Sequence, residues 1–244
     1  ALRARGRAHV RAPEHVVVVV PAHDEEQLVP AALDAIAIAA AAVAPRVRTT
    51  VVVVANACTD RTAEVARARG ATVVEADIAD VGAARAAGFA WAMTQGLGPI
   101  GRLWLATTDA DSRVPPEWLA VQLATAAAGG EVYLGTVALE PVERESFAAW
   151  VHSYAEASRG ATGHGHVHGA SMGMRASVYV AAGGFRSMAC GEDVDLVTRA
   201  AAAGARIVWD ESCPVITSSR LSARAPGGVA ADLALSLDAD DLPA

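Results

Sequence analysis

Two hydrophobic patterns alternate along the chain. Short runs of β-branched residues give way to longer segments with apolar positions every three or four residues. Val16 to Val20 is an unbroken valine run ending at Pro21. A run apolar at every position fits a strand buried on both faces, as in a parallel sheet. Pro21-Ala22-His23-Asp24-Glu25-Glu26 then reads as a loop into a helix, on which Val29, Leu33, Ile36, Ala40 and Val43 form one apolar face. Asp24 and Gln27 have the spacing of a capping box, and Pro45 ends the helix. Thr50 to Ala55 repeats the strand pattern. It opens through Asn56 to Thr62 into a second helix, capped by Thr59 or Asp60 and closed at Gly70. Thr72 to Glu75 predicts a third strand and Val81 onward a third helix. Gly82 and Arg85 share one face of that helix, while Ala84, Ala87 and Trp91 pack inward. Leu103 to Thr107 is the fourth strand. The alternation predicts an α/β fold with a mostly parallel, Rossmann-like sheet flanked by helices.

The second half continues with a helix from Pro115 to about Ala128, a break at Gly129-Gly130 and a strand from Glu131 to Leu139. Glu143 to Arg159 reads as a helix. His164, His166 and His168 alternate in a glycine-rich stretch, so an extended chain would align them. Imidazole suits a metal or phosphate contact. Polar contacts from a loosened loop are the plainer reading for His164 and His166, and both readings stay open for His168. Gly169 to Arg175 leads into a short helix before Gly183-Gly184. A further helix buries Val194, Val197 and Ala201 and ends at Gly204. Its first turn carries Glu192 and Asp193, where the helix dipole favours negative charge. That pair either caps the helix or supplies a general base. Arg206 to Trp209 is the final strand, and the tail carries Arg220 and Arg224, either solvated or within reach of phosphate.

Chemistry concentrates at Asp109-Ala110-Asp111, directly after the fourth strand. On an extended backbone residues i and i+2 point the same way, so the two carboxylates would stand together at a strand's carboxyl end. Open α/β sheets place their ligands there. Hard divalent cations are held by one or two carboxylates plus substrate phosphates. The pair therefore predicts a metal clamp on a diphosphate, against the ordinary alternative of an acidic turn. No G-x-G-x-x-G follows the first strand, which argues against a dinucleotide-dependent dehydrogenase.

Composition narrows the field. Hydrophobic residues make up 53% of the 244, enough for one substantial core, and no linker divides the chain. A net charge of -7 gives no general attraction to nucleic acid or anionic membranes. Cys58, Cys190 and Cys213 lack metal spacing and read as free thiols in a reducing compartment. No apolar stretch approaches a membrane span. Arg3, Arg5, Arg7 and Arg11 precede no apolar signal core, so the start reads as a solvated arm and a cytoplasmic location is the default expectation.

Four motifs now stand in order: Pro21-Ala22-His23-Asp24-Glu25-Glu26, Asn56-Ala57-Cys58-Thr59-Asp60, Asp109-Ala110-Asp111, and Gly191-Glu192-Asp193 after a Gly-Gly-Phe. The set resembles the family 2 glycosyltransferases of the GT-A fold, from about Val16 to Trp209. The resemblance implies a single GT-A domain over residues 1–244, with an arm (1–15), a nucleotide-sugar half (16–111), an acceptor and catalytic half (112–210) and a tail (211–244). It implies a UDP- or GDP-sugar donor and Mg²⁺ or Mn²⁺. Pro21, His23, Glu25 and Asn56 would line the base and ribose pocket, Asn56 standing where the family usually has a uracil-reading aspartate. Gly82 and Arg85 would lie near the phosphates. Asp109 would contact ribose or the metal shell, and Asp111 would bind the metal. Asp193 would be the base of an inverting transfer, with His168, Ser171 and Glu192 near a small-molecule or glycan acceptor. The Gln-x-x-Arg-Trp motif of sugar polymerases is absent, which favours one sugar added to a soluble hydroxyl acceptor. No histidine after Trp209 matches the family's occasional metal ligand. A homodimer is allowed. The rival readings are a retaining transferase on the same fold, a nucleotidyltransferase and a non-catalytic nucleotide-sugar-binding module.

Overall fold

The computed structural model describes residues 11–44, 46–78, 80–140 and 167–219. The helix expected over 143–159, His164, His166, Pro45, Arg220, Arg224, the first ten residues and the tail from 220 lie outside them. In chain order the elements are β1 (His15–Ala22), α1 (Val29–Val43), β2 (Arg48–Asn56), α2 (Thr62–Ala68), β3 (Thr72–Ala76), α3 (Val81–Thr94) and β4 (Leu103–Thr107). There follow β5 (Ser112–Arg113), α4 (Trp118–Ala127), β6 (Val132–Leu139), β7 (Met172–Arg175), α5 (Ala176–Ala181), α6 (Glu192–Ala202) and β8 (Ile207–Thr217). The strands form one sheet in the order β3-β2-β1-β4-β7-β6-β8-β5. Pairing is parallel from β3 through β4 and between β6 and β8. It is antiparallel where β7 meets β4 and β6, and where β5 meets β8.

The valine run explains the sheet's position. Val16, Val18 and Val20 face α1 and α4, packing with Leu33, Ile36, Trp118 and Leu119. Val17 and Val19 face the other side, where α3, α5 and α6 supply Phe89, Tyr179 and Leu196. Alternate residues of one strand thus feed two cores, which is why no polar position interrupts it. Gly88 lets α3 lie close: a Cβ there would sit 2.5 Å from Val19 Cγ1. The second core carries an aromatic group, with Phe89 edge-on to Tyr179 at 5.1 Å and stacked on Phe185 at 5.9 Å.

Three local expectations change. Asp24 makes no capping box; α1 starts after a turn, and its cap residue Leu28 offers no side-chain bond. Asp24 sits at φ +52°, and its carboxylate turns to the loop after β2. On α6 the buried residues are Glu192, Leu196, Val197 and Ala200, while Val194 is 49% exposed and Ala201 faces solvent. A stripe at i, i+4 and i+8 is set by what Glu192 meets inside, not by the most apolar residues. The last strand continues well past Trp209, with an irregular register between Gly135 and Val137 of β6. No helix among the described residues is long and apolar enough to cross a membrane.

This topology gathers chemistry at one edge. β1, β2 and β4 end there, and because β7 runs backwards it begins there: Thr107 pairs with Met172.

Candidate active site

Arg85 occupies the centre of that edge. It projects from α3, whose start is capped by Asp80 through the Ala83 amide. Its side chain is 4% exposed. Nη2 donates to Asp109 Oδ1 at 2.6 Å, and Nη1 donates to Glu192 Oε1. Its Nε has no hydrogen-bond partner among the described residues. Burial works against the charged guanidinium, but Asp109, Glu192 and Asp193 outweigh it and raise the Arg85 pKa. Burial likewise pushes the Glu192 carboxyl above its ordinary value, with Arg85 pulling it back.

Glycine makes this packing feasible at two points. A Cβ on Gly82 would lie 2.7 Å from Glu192 Cγ and 2.8 Å from the Arg186 carbonyl. One on Gly169 would lie 2.5 Å from Arg85 Cζ. Gly169 belongs to a single 3₁₀ turn before β7, and its N–H donates to Asp193 Oδ2 at 2.8 Å. Asp193 Oδ1 accepts from the Val194 N–H at 2.8 Å. Both oxygens are thereby oriented by backbone, one from the 3₁₀ turn and one from α6 itself.

The Asp109–Asp111 pair is built differently from the extended arrangement expected. The strand stops at Thr107, and the Ser112 N–H closes a turn on the Asp109 carbonyl at 3.1 Å. Asp109 bonds to Arg85, whereas Asp111 contacts hydroxyls of β5 and β8. The Asp111 carbonyl takes the Ser218 N–H at 3.1 Å, and its Oδ1 lies 3.4 Å from the Thr217 and Ser112 hydroxyls. Both carboxylates stay partly exposed.

A second group sits where β1 and β2 end. His23 Nδ1 lies 2.8 Å from the Asn56 carbonyl, and Asn56 Oδ1 accepts the Ile78 N–H at 2.8 Å. Glu25 is buried and its N–H donates to Thr62 Oγ1 at 2.7 Å. Pro21 is buried one residue before the end of β1. Asp24, Cys58 and Asp60 bring one ligand atom each within 4.8 Å of one another. Their bonds tie loop to loop: Asp24 Oδ1 accepts the Thr59 and Asp60 amides, and Asp60 Oδ2 accepts the Glu26 amide. The Thr59 amide chiefly holds the Asp24 pKa down. Against burial, the Thr62 hydroxyl and the Glu26 amide do the same for Asp60. Burial chiefly raises the Cys58 thiol, which donates to the Ala22 carbonyl at 3.4 Å. The cluster ties the loop after β1 to the loop after β2. No sequence signal marks it, because its members come from separate loops.

The structure therefore unites Arg85, Asp109, Glu192, Asp193 and Gly82 at one point and His23, Glu25 and Asn56 at another. Ser171 lies fully buried behind them, accepting from Trp118 Nε1 at 3.3 Å. His168 is half-buried at the start of the 3₁₀ turn, its carbonyl accepting the Ser171 N–H.

The sequence pattern of the glycosyl transferase family 2 matches residues 17–179. The chain belongs to that family. No curated protein matches the sequence. Among solved structures, residues 1–349 of S. aureus TarS superpose with a TM-score of 0.58 at 17% identity, covering 84% of this chain and 60% of that one. The mannosyltransferase PcManGT from Pyrobaculum calidifontis, solved with GDP-Man and Mn²⁺, gives 0.59 at 21% identity over 84% and 57%. Glucosyl-3-phosphoglycerate synthase from Mycobacterium tuberculosis, solved with Mn²⁺, UDP and glucosyl-3-phosphoglycerate, gives 0.53 at 15% identity over 84% and 70%. The shared fold is the GT-A fold of glycosyltransferases. This family 2 chain spans about 60% of the TarS and PcManGT structures it matches.

Proposed function

We propose that this family 2 chain moves one sugar from a nucleoside-diphosphate sugar, UDP- or GDP-linked, to a hydroxyl acceptor, with inversion and with a divalent cation. One observation carries the reading beyond the family. Arg85 ties Asp109 to the start of α6, so the carboxylate assigned to the donor and the one assigned to the acceptor proton line a single edge. The neighbours solved with UDP, GDP-Man and Mn²⁺ support the donor class and the metal.

The residues present fit Mg²⁺ or Mn²⁺. Asp109 is one-third exposed and Arg85 occupies only its Oδ1, so a hard oxygen donor stays open. Asp111 adds a second partly exposed carboxylate. A cation held there supplies Lewis-acid neutralisation of the departing diphosphate. Arg85 adds fixed positive charge beside it. His23, Glu25 and Asn56, with Pro21, frame the nucleoside end, and the Asn56 amide nitrogen is the group left to read a base. Gly82 lets α3 approach α6 closely beside the phosphates.

Asp193 takes the proton of the acceptor hydroxyl. Each of its oxygens accepts one backbone N–H and retains a lone pair for that proton. The freed oxygen bonds to the anomeric carbon as the bond from that carbon to the diphosphate breaks. His168, at the mouth of the 3₁₀ turn, is the acceptor contact best placed among the residues assigned to that role; Ser171 supports the turn from within. A panel of UDP- and GDP-sugars with Mn²⁺ in a thermal-shift assay names the donor, since a bound ligand raises the melting temperature. With that donor, Asp193→Asn should lower turnover about 10²–10⁴-fold and leave donor binding intact. Normal turnover refutes the base, and NMR showing a retained anomer replaces the inverting reading with the retaining one.

A further inference from the structure

We infer that Glu192 is a positioning residue: it holds one arm of Arg85 and so keeps the second oxygen of Asp109 open for a divalent cation. This rests on the donor-site reading above. The family resemblance implies a place for Glu192 near the acceptor, but its side chain is 6% exposed and its Oε1 is taken by Arg85 Nη1. Its Cβ and Cγ are backed by Gly82, where an added Cβ would approach to 2.8 and 2.7 Å. A group so enclosed has no face for an acceptor.

What it does have is a claim on the guanidinium. Arginine prefers to give a carboxylate both arms of its fork. Here the fork is split, Nη2 to Asp109 Oδ1 and Nη1 to Glu192 Oε1. Gly169 packs against the guanidinium, at a distance a Cβ would close to 2.5 Å from Cζ, and limits its motion. Without the Glu192 charge, Nη1 is released and both arms can close on Asp109, covering Oδ2. Glu192 thus competes with Asp109 for Arg85, and that competition preserves a cation ligand. It also joins α6, which carries Asp193, to the loop that carries Asp109.

The test is Mn²⁺ binding, read from the EPR signal of the free ion in the presence of UDP or GDP, on the full chain. Glu192→Gln is isosteric and should weaken Mn²⁺ binding about tenfold or more, the cost of about one charge-assisted hydrogen-bond competitor. Arg85→Lys keeps the charge but has no fork. In that background Glu192→Gln should change Mn²⁺ affinity less than about twofold, because effects routed through a shared partner are not additive. A structural or through-space charge effect would be the same in both backgrounds, and that result overturns the inference. So does a Glu192→Gln protein that binds Mn²⁺ like the wild type. A wild-type chain that binds no Mn²⁺ with either nucleotide overturns the donor-site reading, and the inference with it.

Discussion

Replacing Arg85 with methionine isolates the energetics of the buried pair. Methionine keeps most of the apolar stem and removes the charge. Glu192, with its side chain 6% exposed, then has no cation partner among the described residues. Removing one member of a buried pair typically costs about 3–5 kcal/mol, because the remaining charge stays desolvated. The Asp109 half contributes little: that carboxylate is 34% exposed and water can replace Arg85, so its share is about 0–1 kcal/mol. Arg85 also stands 6.0 Å from the centre of the Phe185 ring, worth about 0.5–1 kcal/mol when lost. The expected loss near neutral pH is therefore about 3.5–7 kcal/mol, a large part of a typical total of about 5–15. It should depend on pH with a defined sign. The folded-state pKa of Glu192 already lies above its ordinary value, and losing Arg85 raises it further. A carboxyl that binds its proton more tightly when folded contributes stability below its ordinary pKa and loses it as pH rises through the folded pKa. The variant should thus lose little at about pH 5 and most at about pH 8. Urea unfolding followed by tryptophan fluorescence at both pH values measures this. Adding Glu192→Leu should restore most of the loss, since no charge is then buried. Equal losses at the two pH values, or a double variant worse than the single, would refute burial of an unpaired carboxylate as the cause.

Gly88→Ala should cost about 1 kcal/mol in urea: overpacking of about 1–3 against Val19 is partly offset by about 1 gained in helix propensity. A rise in stability would remove the close helix–sheet approach. His15 is buried against Thr50, and burial first, then Arg48, lowers its pKa below 6.5. The unfolded chain then binds the proton more readily, so stability is full above that value and falls as pH drops through it; His15→Asn should flatten this slope in melting curves. Asp24→Asn tolerates the positive φ but weakens the tie between the two loops, so the Thr59 and Asp60 amides should exchange hydrogen faster. Unchanged exchange would mean that the loops hold without it.

The elements of the first half are legible because continuous valine runs leave few alternatives. Leu103–Thr107 appears with the bounds the apolar run suggests, and β1 and β2 are each read a little short. The strand order is not legible, since a reversed β7 leaves no local trace. β8 is under-read beyond Trp209, where Asp210, Glu211 and Ser212 break the apolar pattern at an irregularity before pairing resumes at Val215. The site shows the same division. Asp109-Ala110-Asp111 is visible as a motif, yet its geometry is not, because the strand ends two residues before Asp109 and a turn separates the carboxylates. The α6 face is misjudged because burying Glu192 requires Arg85, 107 positions away. Asp24 looks like a helix cap for the same reason: its partners lie in another loop.

The antiparallel meeting of β4 and β7 accounts for why these distant residues converge. In a wholly parallel sheet the segment before β7 would lie at the opposite edge from Asp109. Reversal brings Gly169 to the edge where β4 ends, and Gly169 in turn fixes Asp193 through its N–H. Arg85 comes from the half before that seam and Glu192 from the half after it, so their ion pair crosses it. The transfer proposed above needs the group that steadies the leaving diphosphate and the group that removes the acceptor proton on a common frame. Here that frame is a single guanidinium with a carboxylate from each side, and the β4–β7 pairing and the Gly169–Asp193 bond cross the same seam beside it.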